Sequence, residues 1–148
     1  MMGRKISTPE FRALAELRYR IRYFLKEGDA AARTAGLEPQ QYLMLLAIRG
    51  LPEDAPAKIR TLADRLALKH HSAVELIDRL QRRGLVRRTR GREDRRQVLV
   101  SLSPKGHRLL ERVVQQRLVE LQTHGRALVK TIDDLLHDQS TKGRFAAK

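Results

Sequence analysis

Nine arginines fall between positions 79 and 96: Arg79, Arg82, Arg83, Arg87, Arg88, Arg90, Arg92, Arg95 and Arg96, opposed within that stretch by Glu93 and Asp94. So dense a run of guanidinium groups repels itself unless a polyanion offsets it, and nucleic acid is the usual polyanion. An anionic membrane surface is the alternative partner, and a merely solvated face is the bland reading. Just ahead of the run stand Lys69, His70, His71, Ser72, Val74 and Glu75. His71 and Ser72 can bond bases or phosphates. Val74 can touch a thymine methyl, or sit at the rim of a core. Glu75 can accept from a cytosine amino group or tether a neighbouring arginine. Arg79 suits a phosphate, or an internal pair with an aspartate. Adjacent histidines on a helix point in different directions, so His70 and His71 do not read as one metal site.

These residues need elements to hold them. Ala73, Leu76, Ile77 and Leu80 recur at i, i+3, i+4 and i+7, which predicts a helix from about His71 to Arg83 with one buried face. Gly84 ends it. A short helix over Thr61 to Leu66 precedes it, across a turn at Leu68-Lys69. Lys58-Ile59 reads as a very short strand, and 52–56 as a loop. After Gly84 the period changes to two: Leu85-Val86 opens one strand, and Val98, Val100 and Leu102 form the other. The polar tip between them contains Gly91, Arg92, Asp94, Arg95 and Arg96. This is a β-hairpin. Two short helices followed by a basic hairpin make a winged helix-turn-helix. Its second helix fits a major groove, and its hairpin reaches neighbouring phosphates or the minor groove.

Longer helices flank this unit. Thr8, Pro9 and Glu10 read as cap, first-turn proline and dipole complement. Phe11, Leu14, Leu17, Ile21, Phe24 and Leu25 follow at helical spacing, with Gly36 as the stop. A second helix runs from Pro39 to about Gly50. Ser103-Pro104 caps a fifth, Gly125 interrupts it, and a last helix carries Leu128, Val129, Ile132, Leu135 and Leu136. The expected organisation is an N-terminal dimerisation helix (1–36), a winged domain (37–103), C-terminal dimerisation helices (104–138) and a mobile tail (139–148). The fold class is mainly α with a small β-hairpin wing.

Composition narrows the partners. The chain has 148 residues and a formal net charge of +14, from 31 Lys and Arg against 17 Asp and Glu. Apolar residues make up 41% and aromatic ones 4%, so the core is aliphatic. No cysteine means no disulfide and no thiolate metal site. No run approaches the ~18 apolar residues of a membrane span, and the basic N-terminus lacks an apolar signal region. A cytoplasmic protein without a membrane role is expected. No glycine-rich phosphate loop, catalytic triad or carboxylate pair stands out, and nothing brings the five histidines together on a metal. Neither an enzyme nor a cofactor is expected.

The stretch from Leu62 to Leu110 resembles the MarR family of regulators. The likeness rests on Leu76-Ile77-Asp78-Arg79-Leu80, Gly84-Leu85-Val86, Arg88, Asp94-Arg95-Arg96, Val100, Leu102-Ser103 and Gly106. Where members often carry Ser or Thr on the DNA-facing positions, this chain has His70, His71, Ser72, Val74 and Glu75. The resemblance implies a homodimer with interlocked terminal helices that binds pseudo-palindromic double-stranded DNA and is often released by a small phenolic or aromatic acid. It also implies that Asp94 holds Arg96 and that Arg96 enters the minor groove.

The DNA-binding set is therefore expected to be Lys69, His70, His71, Ser72, Val74, Glu75, Arg79, Arg88, Arg90, Arg92, Asp94, Arg95 and Arg96. The terminal helices show more apolar surface than a small winged domain covers. Leu14, Ile21, Leu109, Val113, Leu121, Leu128, Ile132 and Leu135 are thus expected in a dimer interface, with an intramolecular bundle as the alternative. Tyr19, Tyr23 and Met44 are candidates for an effector cleft, with Arg20 or Arg22 to pair an acid; ordinary core is the competing reading. The expected function is a transcriptional repressor released by an aromatic effector. A sequence-independent architectural DNA- or RNA-binding protein would use the same charge.

Overall fold

The computed structural model describes residues 3–145, with side chains as far as residue 137. Five helices and one hairpin follow in order: α1 (Thr8–Thr34), α2 (Pro39–Arg49), α3 (Ile59–Arg65), α4 (His70–Arg82), β1 (Val86–Arg90), β2 (Val98–Leu102) and α5 (Pro104–Phe145). Residues 29–116 form one compact unit, and the chain before and after them forms a second.

The first unit is the winged one. Its largest fully buried side chains are Leu37, Met44, Leu45, Leu62, Ile77, Leu80, Leu85, Val86 and Val113. This is the aliphatic core that the composition requires. Helix α2 starts with Pro39 at its first turn, and Gln41 reaches back to accept the Glu38 amide at 3.1 Å. Helices α3 and α4 are joined by a tight turn in which Leu68 N–H donates to the Ala63 carbonyl at 2.9 Å. Ala67 sits in that turn at φ 53°, a left-handed conformation that costs an L-residue energy. Gly84 takes φ 71° after α4 without that penalty, letting Leu85 N–H return to the Leu80 carbonyl at 2.9 Å.

The hairpin pairs β1 and β2 antiparallel, with Val86 opposite Leu102, Arg88 opposite Val100 and Arg90 opposite Val98. The face carrying these residues runs from buried at Val86 and Val100 to exposed at Arg90 and Val98. A packed base thus carries a solvated tip. Lys58 bridges to Leu99, so the expected short strand exists there as a single bridge. Ile59 belongs instead to α3, which starts two residues earlier than its pattern suggests. Ser103 then starts α5. Its hydroxyl donates to the Gly84 carbonyl at 2.5 Å and accepts the Gly106 amide at 3.0 Å. A β-carbon on Gly106 would lie 2.0 Å from the Leu85 carbonyl oxygen. The spacing Ser-x-x-Gly is thus a cap followed by the one residue that lets α5 meet the base of the wing.

Two expectations about the terminal helices need correction. Gly125 does not interrupt α5, which is one continuous helix. An interior glycine costs about 1 kcal/mol relative to alanine, and the long apolar stretches on both sides offset that. The cap of α1 is Ser7, one residue earlier than expected. Glu10 accepts the Ser7 amide and hydroxyl, each at 2.8 Å, in a capping box. Residues 146–148 of the expected mobile tail lie outside the described residues.

Candidate nucleic-acid interface

In α4 the buried residues are Ala73, Leu76, Ile77 and Leu80, as the periodicity requires. The helical period puts His71, Glu75, Asp78 and Arg82 on the line opposite that core. Ser72 and Val74 are half-buried at the flanks, and His70 and His71 are exposed in the first turn. Arg79 is exposed but turned toward α2, where it borders a groove with Glu38 and Gln40. Lys69 is the N-cap residue and offers no side-chain cap bond.

Arg88 is held inside the unit. Its guanidinium pairs with Asp78 at 2.6 Å and donates to the Gln81 side chain. Arg82 adds a bond to the Asp78 carbonyl at 3.4 Å. This brace ties β1 to α4. Asp78, Gln81 and Arg82 are absent from the sequence-derived set, although the period that selects His71 and Glu75 also selects Asp78 and Arg82. Arg83 lies behind the helix and bonds Gln41 at 2.8 Å and the Gly36 carbonyl at 2.9 Å.

At the wing tip, Arg90, Arg92, Arg95 and Arg96 are all exposed. Asp94 meets Arg96, but at the backbone: its Oδ1 accepts the Arg96 amide at 2.9 Å. This replaces the expected guanidinium pair. Asp94 shapes the turn, together with Gln97 N–H to the Asp94 carbonyl at 3.1 Å and Gly91 N–H to the Gln97 carbonyl at 2.9 Å. A β-carbon on Gly91 would lie 2.7 Å from the Asp94 carbonyl oxygen, which explains the glycine.

The candidate effector residues divide. Tyr19, Arg20 and Tyr23 line one cavity of about 230 Å³ in the second unit, with Phe24, Glu27 and His124 among its other walls. Met44 does not join them, because it is fully buried in the winged core. Arg22 is exposed and outside the lining. The Tyr19 and Tyr23 rings stand 4.7 Å apart at 46°, and the Tyr23 phenol beside it pushes the Tyr19 hydroxyl above its usual range. Arg117 is buried in this unit. It donates to the Phe24 carbonyl at 2.8 Å, lies 4.3 Å over the Phe24 ring and bonds Glu120.

The expected interface residues also divide. Val113 is buried in the core of the winged unit and Leu109 packs against that core. Both are used intramolecularly, a distinction that periodicity cannot make. Leu14, Ile21, Leu121 and Ile132 are exposed, and Leu128 and Leu135 are half-buried. Phe11, Val119, Val129 and Leu136 add to the exposed apolar surface at 63%, 62%, 65% and 66%.

Two helices at a tight turn with a basic antiparallel hairpin behind them define the winged helix-turn-helix class of DNA-binding protein. Residues 35–97 match the model of the MarR family. Over 101 residues the chain is 29% identical to the uncharacterized HTH-type transcriptional regulator YsmB of Bacillus subtilis (strain 168), covering 68% of this chain and 67% of that one. Among solved structures, a point mutant of S. aureus MepR bound to an oligodeoxyribonucleotide is similar at TM-score 0.62 and 18% identity, over 88% of this chain and 94% of that one. CouR from Rhodococcus jostii RHA1, bound to p-coumaroyl-CoA, is similar at TM-score 0.63 and 24% identity, over 85% and 87%. The chain has a winged helix-turn-helix fold, and over residues 35–97 it is similar to the MarR family of regulators. Among the described residues, no helix is long and apolar enough to cross a membrane.

Proposed function

We propose that the protein is a homodimeric, sequence-specific repressor that binds a pseudo-palindromic operator and is released by a small aromatic effector. The observation that carries the DNA-binding part is the placement of charge on the winged unit. Its inner residues are aliphatic, while Arg82, Arg90, Arg92, Arg95 and Arg96 are exposed on one helix and one hairpin. His71, Ser72 and Glu75 read base edges in the major groove, with Val74 against a thymine methyl. Lys69 and the first-turn amides of α4 take a phosphate, favoured by the helix dipole. His70 and Arg79 take phosphates beside it, and the wing arginines, shaped by Asp94, hold the flanking backbone. Arg88 supports the assembly from within.

The dimer rests on the exposed apolar side chains of α1 and α5. A second copy covering Leu14, Ile21, Leu121 and Ile132 removes them from water. Release by an effector rests on the cavity beside Tyr19 and Tyr23. Competition binding tests the central part. A specific regulator prefers its own site over random duplex by roughly a thousandfold or more. Equal affinity for both overturns it and points to an architectural protein.

A further inference from the structure

Of the nine arginines between positions 79 and 96, Arg83 stands on a face of its helix that DNA does not need. The helical period puts it in line with Ala73, Leu76 and Leu80, the buried stripe of α4, and not with His71, Glu75, Asp78 and Arg82. From the C-cap of α4 its guanidinium reaches the segment that joins α1 to α2. Nη1 donates to the Gln41 side-chain oxygen at 2.8 Å, and Nη2 donates to the Gly36 carbonyl at 2.9 Å. All three residues belong to the winged unit.

Each acceptor is itself fixed. Gly36 takes φ 83° after α1, and its amide donates to the Arg33 carbonyl at 2.9 Å. Gln41 is buried, and the oxygen that takes Arg83 also accepts the Glu38 amide at 3.1 Å in the cap of α2. One guanidinium thus grips the end of α1 and the start of α2. At its own backbone, the Arg83 carbonyl accepts Lys105 Nζ at 3.4 Å from the first turn of α5.

A planar fork held at two points fixes orientation as well as distance. Arg83 is exposed, and an exposed charged contact is screened by water and contributes little to stability. Its position is transmitted nonetheless. Helix α4 has 13 residues and is a stiff rod about 20 Å long, so a tilt at its C-terminal end displaces its first turn, where His71 and Ser72 stand.

We propose that Arg83 is a positioning residue for operator recognition: without touching DNA, it sets the angle at which α4 presents His71, Ser72 and Glu75. This rests on the sequence-specific reading above.

The probe is a duplex selected from a random pool by the wild-type chain, with random duplex as the reference. Arg83→Lys keeps the charge and removes the fork. It is expected to lose about tenfold of the preference for the selected duplex, within the discrimination that one base contact supplies. Its affinity for random duplex and its salt slope should stay near wild type. Gln41→Ala removes the acceptor from the other side and should give a similar loss, and the double variant should lose no more than the larger single loss. Denaturation midpoints are read on the same samples, and Arg83→Lys is expected to stay folded under the binding conditions. Where Gln41→Ala does not fold, Arg83→Lys decides alone. Equal losses on selected and random duplex, additive losses in the double variant, or unfolding of Arg83→Lys overturns the proposal. A selected duplex whose preference survives Arg83→Lys sinks this inference alone. Wild-type selection that yields no preferred duplex sinks the sequence-specific reading and this inference with it.

Discussion

Gly106 and Asp94 act through the backbone. Any side chain at 106 drives a β-carbon into the Leu85 carbonyl oxygen. Gly106→Ala is therefore expected to cost about 3 kcal/mol, at the upper end of overpacking effects. Chemical denaturation of the two proteins measures it; a loss under about 1 kcal/mol means that the contact relaxes easily. At the wing tip, Asp94 accepts an amide, a task that asparagine also performs. Asp94→Ala is expected to weaken operator binding several-fold by loosening the turn, while Asp94→Asn retains binding or tightens it, since one negative charge near phosphate is gone. Losses from Asp94→Ala and Arg96→Ala should add, because the amide bond survives truncation of the Arg96 side chain. Non-additive losses at one salt concentration mean that the two side chains act as a pair. The spacing of Asp94 and Arg96 was legible in sequence, but i and i+2 serve a guanidinium pair or an amide bond equally well, and only geometry separates them.

The elements were legible where their pattern is periodic. Helix α4 follows from four aliphatic positions, and the hairpin from alternation on each side of a polar tip. The misreadings arise where local signals compete with packing. Gly125 reads as a break because glycine is a poor helix former, yet long flanking stretches carry α5 through it. Met44 and Val113 are apolar at helical spacing, and that spacing does not say which partner covers them. Ala67 is the reverse case, a left-handed residue that its sequence does not announce. Ala67→Gly is expected to stabilise the helix-turn-helix by about 1 kcal/mol, read as a rise in unfolding midpoint. The brace between α4 and β1 makes a further expectation. Arg88→Gln leaves Asp78 uncompensated beside the DNA-facing line, so operator affinity should fall about tenfold, and adding Asp78→Asn should restore part of it. An unchanged affinity in Arg88→Gln assigns the brace to stability alone. At the start of α1, the Ser7 amide and hydroxyl, aided by Arg4 at 2.7 Å, push the Glu10 carboxyl down to about 2. A depressed carboxylate stabilises the fold above its unfolded pKa and loses that contribution as pH falls through the folded one. The α1 terminus should therefore hold through about pH 4, close to the free carboxylate value, and loosen toward about 2. An NMR titration of Glu10 with a midpoint near the free carboxylate contradicts this.

At the scale of the molecule, charge and the proposed two-fold symmetry set the expected behaviour. The net charge of +14 and the exposed arginines of the wing make binding steeply salt-dependent, because each phosphate neutralised releases a counterion. Replacing Arg92 should weaken specific and random duplex alike and lower the slope of log K against log salt by about 1. Replacing His71 should change which base is preferred and leave the slope nearly intact. A surplus of apolar residues at both chain ends was legible in sequence, but not which of them the fold itself covers; Leu14, Ile21, Leu121 and Ile132 stay exposed, and Val113 does not.

Selection from a pool of random duplexes by the purified full chain tests the central claim most directly, since it asks for sequence preference and two-fold symmetry together. The account predicts enrichment of an inverted repeat whose half-sites are centred one helical turn apart, about 10 bp or a multiple of it. Enrichment of a single unrepeated half-site, or no enrichment over the starting pool, contradicts it.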